Sequence, residues 1–185
     1  GGSGSMSPTK GYESETVTVV ANGFNPKPGG YKFAGWNTRE DGTGIPYAVG
    51  SDYALTDGQN VLYAQWTLRD DIPYIIRHYK QNITGTGYDL AETDIGQGTV
   101  NTLASYQNRI KGEGDYPGFE YATAKWQLGD DGDETAVSAT SPTIDADGNL
   151  IINLYYNRKT VQYKVEHYWQ NVEDSGYMLH ETESK

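Results

Sequence analysis

The chain has 185 residues, no cysteine and a formal net charge of −11. An acidic surface of this kind is repelled by phosphate backbones and anionic lipid, so neither nucleic acid nor membrane is expected as a partner. The lack of thiols excludes disulfides, thiolate metal sites and cysteine nucleophiles, while 16 Tyr and 23 Gly favour short strands joined by tight turns.

Three strands are expected first, at Thr16–Ala21 (TVTVVA), Tyr31–Trp36 and Val61–Trp66 (VLYAQW). The first is rich in β-branched residues, and the other two alternate in the period-2 manner of half-buried strands. Between the second and third lies TREDGTGIPYAVGSD, whose Asp-Gly and Gly residues carry turn chemistry. Residues 67–73 (TLRDDIP) read as a short polar linker closed by Pro73. Strands follow at Tyr74–Tyr79 and around Tyr88–Thr93. Thr99–Ile110 sets Val100, Leu103, Ala104, Gln107 and Ile110 at helical spacing, with Thr99 as cap. Glu120–Leu128 is a further strand. Asp147-Gly148 then suits a hairpin turn feeding Leu150–Tyr156 (LIINLYY), which is apolar on both faces and therefore central in its sheet.

The sequence also repeats itself. Residues 74–94 (YIIRHYKQNITGTGYDLAETD) return without a gap as residues 163–183 (YKVEHYWQNVEDSGYMLHETE), with ten of 21 positions identical. A fixed period marks an array of copied modules. Comparing the copies separates the faces of the first strand: Tyr74, Ile76 and His78 become Tyr163, Val165 and His167, whereas Ile75 and Arg77 become Lys164 and Glu166. The first set is expected to face the core and the second to face water. Only Asn157–Thr160 separates one copy from the next, which favours fixed relative poses and a stiff rod. Residues 161–185 hold about two strands, too few to stand alone, so they are expected to pair with the preceding module or with another chain.

FAGWNTREDGTGIPY followed by VLYAQW closely resembles the internalin B-type (Listeria–Bacteroides) repeat of bacterial surface proteins, over residues 1–67. Residues 72–159, opening on YIIRHY and closing on DGNLIINLYYNR, resemble a mucin-binding-protein-type repeat, and residues 161–185 look like the start of another copy. The resemblance implies an α+β, mostly β fold of small β-grasp-like (ubiquitin-like) modules in tandem. It also implies secretion to a bacterial cell surface, with cell-wall attachment in the parent protein. The opening GGSGSMSP reads either as a cloning linker or as the NGG-x-G-x-M run of the first family; in the second case the first module lacks its first strand and leaves an edge unpaired.

No catalytic group, cofactor or metal is expected. The strongest metal candidates are Asp130, Asp131, Asp133 and Glu134, which crowd one loop as calcium ligands do but lack the spacing of an EF-hand. His78 and His167 recur in step but belong to different modules, and a lone strand histidine is usually structural. No Gly-x-Ser-x-Gly elbow is present. Trp36 and Trp66 read as core residues. Trp126 and Trp169 are candidate ligand contacts, Trp169 because it replaces Lys80 of the first copy and so falls where a charged residue was accepted. The resemblance to bacterial surface proteins also implies that an internal Lys–Asn or Lys–Asp cross-link can stand in place of disulfides; the chain has nine lysines, and its sequence does not single out a pair. The expected function is a non-catalytic stalk of repeats that spaces or presents an adhesive domain. Its partners would be neighbouring repeats. The competing reading is an adhesin module binding mucin-like glycans or a host glycoprotein.

Overall fold

The computed structural model describes residues 2–26, 28–138, 140–173 and 175–184. Gly1 of the opening run, and Asp174 and Lys185 of the last segment, lie outside the described residues. Among those residues the chain is mostly β, with twelve strands in four sheets and one 3₁₀ turn.

In the first segment, β1 (Thr16–Thr18) pairs antiparallel with β4 (Asp52–Ala54). A separate three-stranded sheet has the order β3 (Pro46–Tyr47), β2 (Tyr31–Asn37), β5 (Tyr63–Leu68). Its small core is aromatic: Phe33 packs edge-on against Trp36 at 5.1 Å and Trp66 at 5.9 Å, and the Trp36 indole donates to the Val20 carbonyl at 3.0 Å. Trp36 is buried and Trp66 half-buried, as expected of core residues. The turn after β2 has a clear cause in Asn37. Its buried side chain donates to the Gly42 carbonyl and accepts from the Arg39 amide, folding the TREDGTG loop around itself. The opening run is joined to this module through a backbone bridge from Ser3 to Asn25.

The second module is one five-stranded sheet in the order β7 (Tyr88–Gly98), β6 (Ile72–Gln81), β10 (Leu150–Arg158), β8 (Phe119–Leu128), β9 (Thr135–Ala136). The two central strands, β6 and β10, run parallel, with Ile75 opposite Ile151 and Lys80 opposite Tyr156. All other pairs are antiparallel. Pro73 sits in β6 outside the parallel ladder, where its missing N–H costs no central hydrogen bond. The core lies on one face and collects Ile72, Tyr74, Ile76, Leu150, Ile152, Leu154 and Tyr156, over which Val100, Ala104, Tyr106, Tyr116 and Ile144 pack. Each such residue, fully buried, contributes about 1.5–3 kcal/mol. The core face read from the two copies is therefore correct, and β10 is central as expected.

The expected helix over Thr99–Ile110 does not form; a 3₁₀ turn at Gln107–Arg109 is all that is helical. Asn101 adopts φ +62, which ends a right-handed helix before it starts. The backbone then pairs sideways with residues 142–144: Asn101 N bonds Ile144 O, Ile144 N bonds Thr102 O, and Ala104 N bonds Pro142 O. Leu103, expected on the apolar stripe, is exposed. Nor is Asp147-Gly148 a hairpin turn. Asp145 accepts from the amides of Asp147, Asn149 and Leu150, making a side-chain-capped turn that launches β10 between two distant strands.

Residues 67–73 are less of a linker than their composition suggests. β5 runs to Leu68 and β6 begins at Ile72. Between them the Arg69 amide donates to Gly30 O at 2.7 Å, and the Arg69 carbonyl accepts from Val100 N at 3.0 Å. Leu68 packs on the second core, and Lys32 pairs with Asp70 across the junction. Gly30, at φ +79, lies so close to Val100 that an added Cβ would come within 2.9 Å of it.

The last strands, β11 (Lys164–Gln170) and β12 (Tyr177–Ser184), form a hairpin that pairs only with itself among the described residues. The expected pairing with the preceding module is not formed. The hairpin nevertheless reproduces the β6–β7 hairpin in detail. In β6–β7 the register slips between His78 and Tyr79, and in β11–β12 it slips between His167 and Tyr168. These are equivalent positions in the repeat, so the copying extends to a β-bulge, which re-aims the strand the same way each time.

Candidate functional site

On the core face of the second sheet, β6 places His78 beside Tyr156 of β10, with the rings stacked and Nδ1 3.1 Å from the Tyr156 hydroxyl. That hydroxyl also accepts from the Lys111 amide at 3.0 Å, so its own hydrogen points to His78 Nδ1. The imidazole N–H is thereby placed on Nε2, facing Asp94 Oδ2 at 3.4 Å, an ion-pair distance too long and poorly aligned for a full hydrogen bond. Burial holds the imidazole pKa below its ordinary value, against the opposing pull of Asp94. Next to it Glu92 accepts from Lys111 Nζ at 2.8 Å and from the Tyr116 hydroxyl at 2.9 Å. Those two hydrogen bonds keep Glu92 ionised below the usual carboxylate range. In this cluster the imidazole is fully buried, and Glu92 is taken up by Lys111 and Tyr116.

The opposite face of the same sheet is open. Tyr79 and Tyr155 stack at 5.3 Å, Tyr88 stands edge-on to Tyr155 at 4.9 Å, and Thr123 and Lys125 complete a shallow depression. Tyr88 Oη donates to Asn157 at 2.6 Å. Alternation produces this arrangement, because β6, β10 and β8 project Tyr79, Tyr155 and Thr123 to the same side. Glu134 forms the polar wall. Its carboxylate accepts from Lys125 Nζ at 2.8 Å, from Asn153 Nδ2 at 2.7 Å and from the Tyr155 hydroxyl. Burial pushes the Glu134 pKa upward, but those three donors outweigh it and hold it below the usual range. The chemistry on offer is aromatic stacking beside a fixed charge pair.

The residues singled out from sequence are dispersed. Glu134 belongs to the network just described, and Asp130 pairs with Arg77 at 2.5 Å. With two of the four acids held by cations, the loop does not converge on an ion. Among the described residues no group of three or more His, Asp or Glu is arranged to hold a metal. Trp126 is half-buried against the core, on the face opposite the tyrosines. Trp169 is 63% exposed and stacks on His180 at 3.6 Å. Met178, its cross-strand partner, is exposed on the same face, and Tyr168, Tyr177 and Leu179 are exposed on the other. His167 is exposed, unlike its buried counterpart His78. Sequence reasoning missed the tyrosine depression, because Tyr79 and Tyr88 meet Tyr155 only through a parallel crossover.

Comparison with known proteins gives limited matches. No family model matches the chain, and no solved structure matches it. Two proteins of Evansella cellulosilytica are similar to parts of it. One, named "Putative Gly-rich membrane protein", is 33% identical over 95 residues, covering 46% of this chain. The other, named "Putative membrane protein", is 34% identical over 64 residues, covering 35% of this chain. The chain spans only 10% of the length of each relative. No helix among the described residues is long and apolar enough to cross a membrane.

Proposed function

We propose that this chain is a non-catalytic repeat region of an exported bacterial surface protein, a stalk that spaces or presents an adhesive domain. The observation that carries this reading is the duplicated hairpin, identical down to the position of its bulge. A module copied at a fixed period is how an array of repeats is built. The junction at Arg69 supports the mechanical part, since bonds on both sides leave the two modules little freedom to swing.

Strand order supports the finer proposal, that the second module is β-grasp-like. Numbered within the second module, the sheet runs 2-1-5-3-4 with strands 1 and 5 parallel, which is the order of a β-grasp domain. Here a loop with one 3₁₀ turn stands where that fold usually carries a helix. The names of the two Evansella proteins fit a cell-envelope setting. Attachment to the cell wall is part of this proposal.

A second reading is favoured by Trp169, which stands exposed and stacked on His180 with Met178 beside it on the same face. An adhesin module would stack sugar rings on such residues. A glycan and mucin binding screen of the whole chain separates the readings. The stalk reading expects no binding that Trp169→Ala or Tyr79→Ala abolishes. Saturable binding lost in either variant would replace it with the adhesin reading.

A further inference from the structure

Lys125 of β8 and Asn153 of β10 are direct cross-strand partners in an antiparallel ladder, so their Cβ atoms stand about 5 Å apart. Both side chains end on the same carboxylate: Lys125 Nζ lies 2.8 Å from Glu134 Oε2 and Asn153 Nδ2 lies 2.7 Å from Glu134 Oε1. Asn153 is 2% exposed, and its carboxamide is fixed further by Gln127 Oε1 at 3.0 Å. Its carbonyl oxygen Oδ1 is buried with no hydrogen-bond partner among the described residues. A buried amide with an unpaired carbonyl is a costly arrangement for a merely structural asparagine. Glu134 is itself pinned by the Tyr155 hydroxyl.

We propose that Lys125 and Asn153 are the substrates of an intramolecular transamidation, joined by an isopeptide bond that Glu134 assists as proton carrier. Lys125 passes a proton to Glu134 Oε2, and the neutral amine attacks Asn153 Cγ. The Cγ–Nδ2 bond breaks as Nδ2 collects protons through Glu134. Of the three protons on Nζ, one stays in the new amide and two leave with Nδ2 as ammonium. One amide replaces another, so no oxidant, metal or cofactor is required. The first transfer is uphill because Glu134 is held in its ionised form, but the reaction occurs once in the life of each chain and slow chemistry suffices. The bond ties the central strand β10 to β8, a staple for a chain without cysteine. It stands on side-chain geometry alone and holds under either reading of the function.

The test is mass spectrometry of the full chain after prolonged incubation at 37 °C. The expected intact mass is about 17 Da below that of the sequence, the loss of one ammonia. Trypsin should then fail to cut after Lys125 and release residues 112–158 as one peptide carrying the deficit. Lys125→Arg and Glu134→Gln should restore both the full mass and a separate peptide 126–158, since the first removes the nucleophile and the second the proton carrier. A full-mass chain cleaved normally at Lys125 would overturn the proposal. So would a deficit that maps elsewhere, for example to Asn22-Gly23.

Discussion

His78 and His167 occupy the same position in two copies of one hairpin, yet His78 is sealed against Tyr156 while His167 faces solvent. The difference lies in what covers the strand. In the first copy, β10 flanks β6 in the sheet, and the segment carrying Val100, Ala104 and Tyr116 packs over the face of Tyr74, Ile76 and His78. In the second, Tyr163 and His167 are exposed and Val165 is half-exposed.

The two histidines should therefore respond differently to truncation. His78→Ala leaves a cavity and leaves the Tyr156 hydroxyl proton without its acceptor, so it should lower stability by roughly 2–4 kcal/mol. His167→Ala should change it by no more than about 0.5 kcal/mol. Denaturant titration of both variants, followed by near-UV circular dichroism, measures this directly.

Stability should also depend on pH through His78. Its folded pKa is depressed, first by burial, from an ordinary value of 6.5. Below that value the unfolded chain binds a proton that the folded chain refuses, so stability present above it is lost as pH falls toward the folded pKa. Unfolding free energies measured from pH 7.5 downward should decline below 6.5, and His78→Asn should remove that part of the decline. A profile in which the variant and the parent run parallel would show that His78 contributes nothing.

Gly96 lies directly opposite Tyr74 in the β6–β7 ladder, and an added Cβ would meet the Tyr74 ring at 2.2 Å. That ring is fixed by hydrogen bonds between its hydroxyl and Ser105. Gly96→Val should cost about 1–3 kcal/mol through overpacking. A variant as stable as the parent would mean that Tyr74 can leave its seat.

The β11–β12 hairpin should be energetically independent of what precedes it. Deleting residues 162–185 should leave the main thermal transition unchanged. In the intact chain, Trp169 should supply most of the tryptophan fluorescence open to acrylamide, and Trp169→Phe should abolish that fraction while Trp36 stays protected.

Much of the sheet was legible, because alternation in Tyr31–Trp36, Tyr74–Tyr79 and Leu150–Tyr156 is a local signal. The internal copy added which side of Tyr74–Tyr79 is dry. Thr99–Ile110 misled because Val100, Ala104 and Ile110 are indeed covered, but by a loop whose backbone bonds go to residues 142–144. Asn101 and Thr102, both poor helix formers, were the available warning. The sites that matter most were not legible at all. Tyr79 meets Tyr155, and Lys125 meets Asn153, only through register between strands far apart in sequence.

The central claim is that the two modules joined at Arg69 are held stiffly to one another, and residual dipolar couplings test it most directly. Amides of residues 31–68 and 72–158, measured on the full chain in one aligned medium, should fit a single alignment tensor. Two tensors of different magnitude and orientation would show that the modules swing about Arg69, which contradicts a stiff stalk.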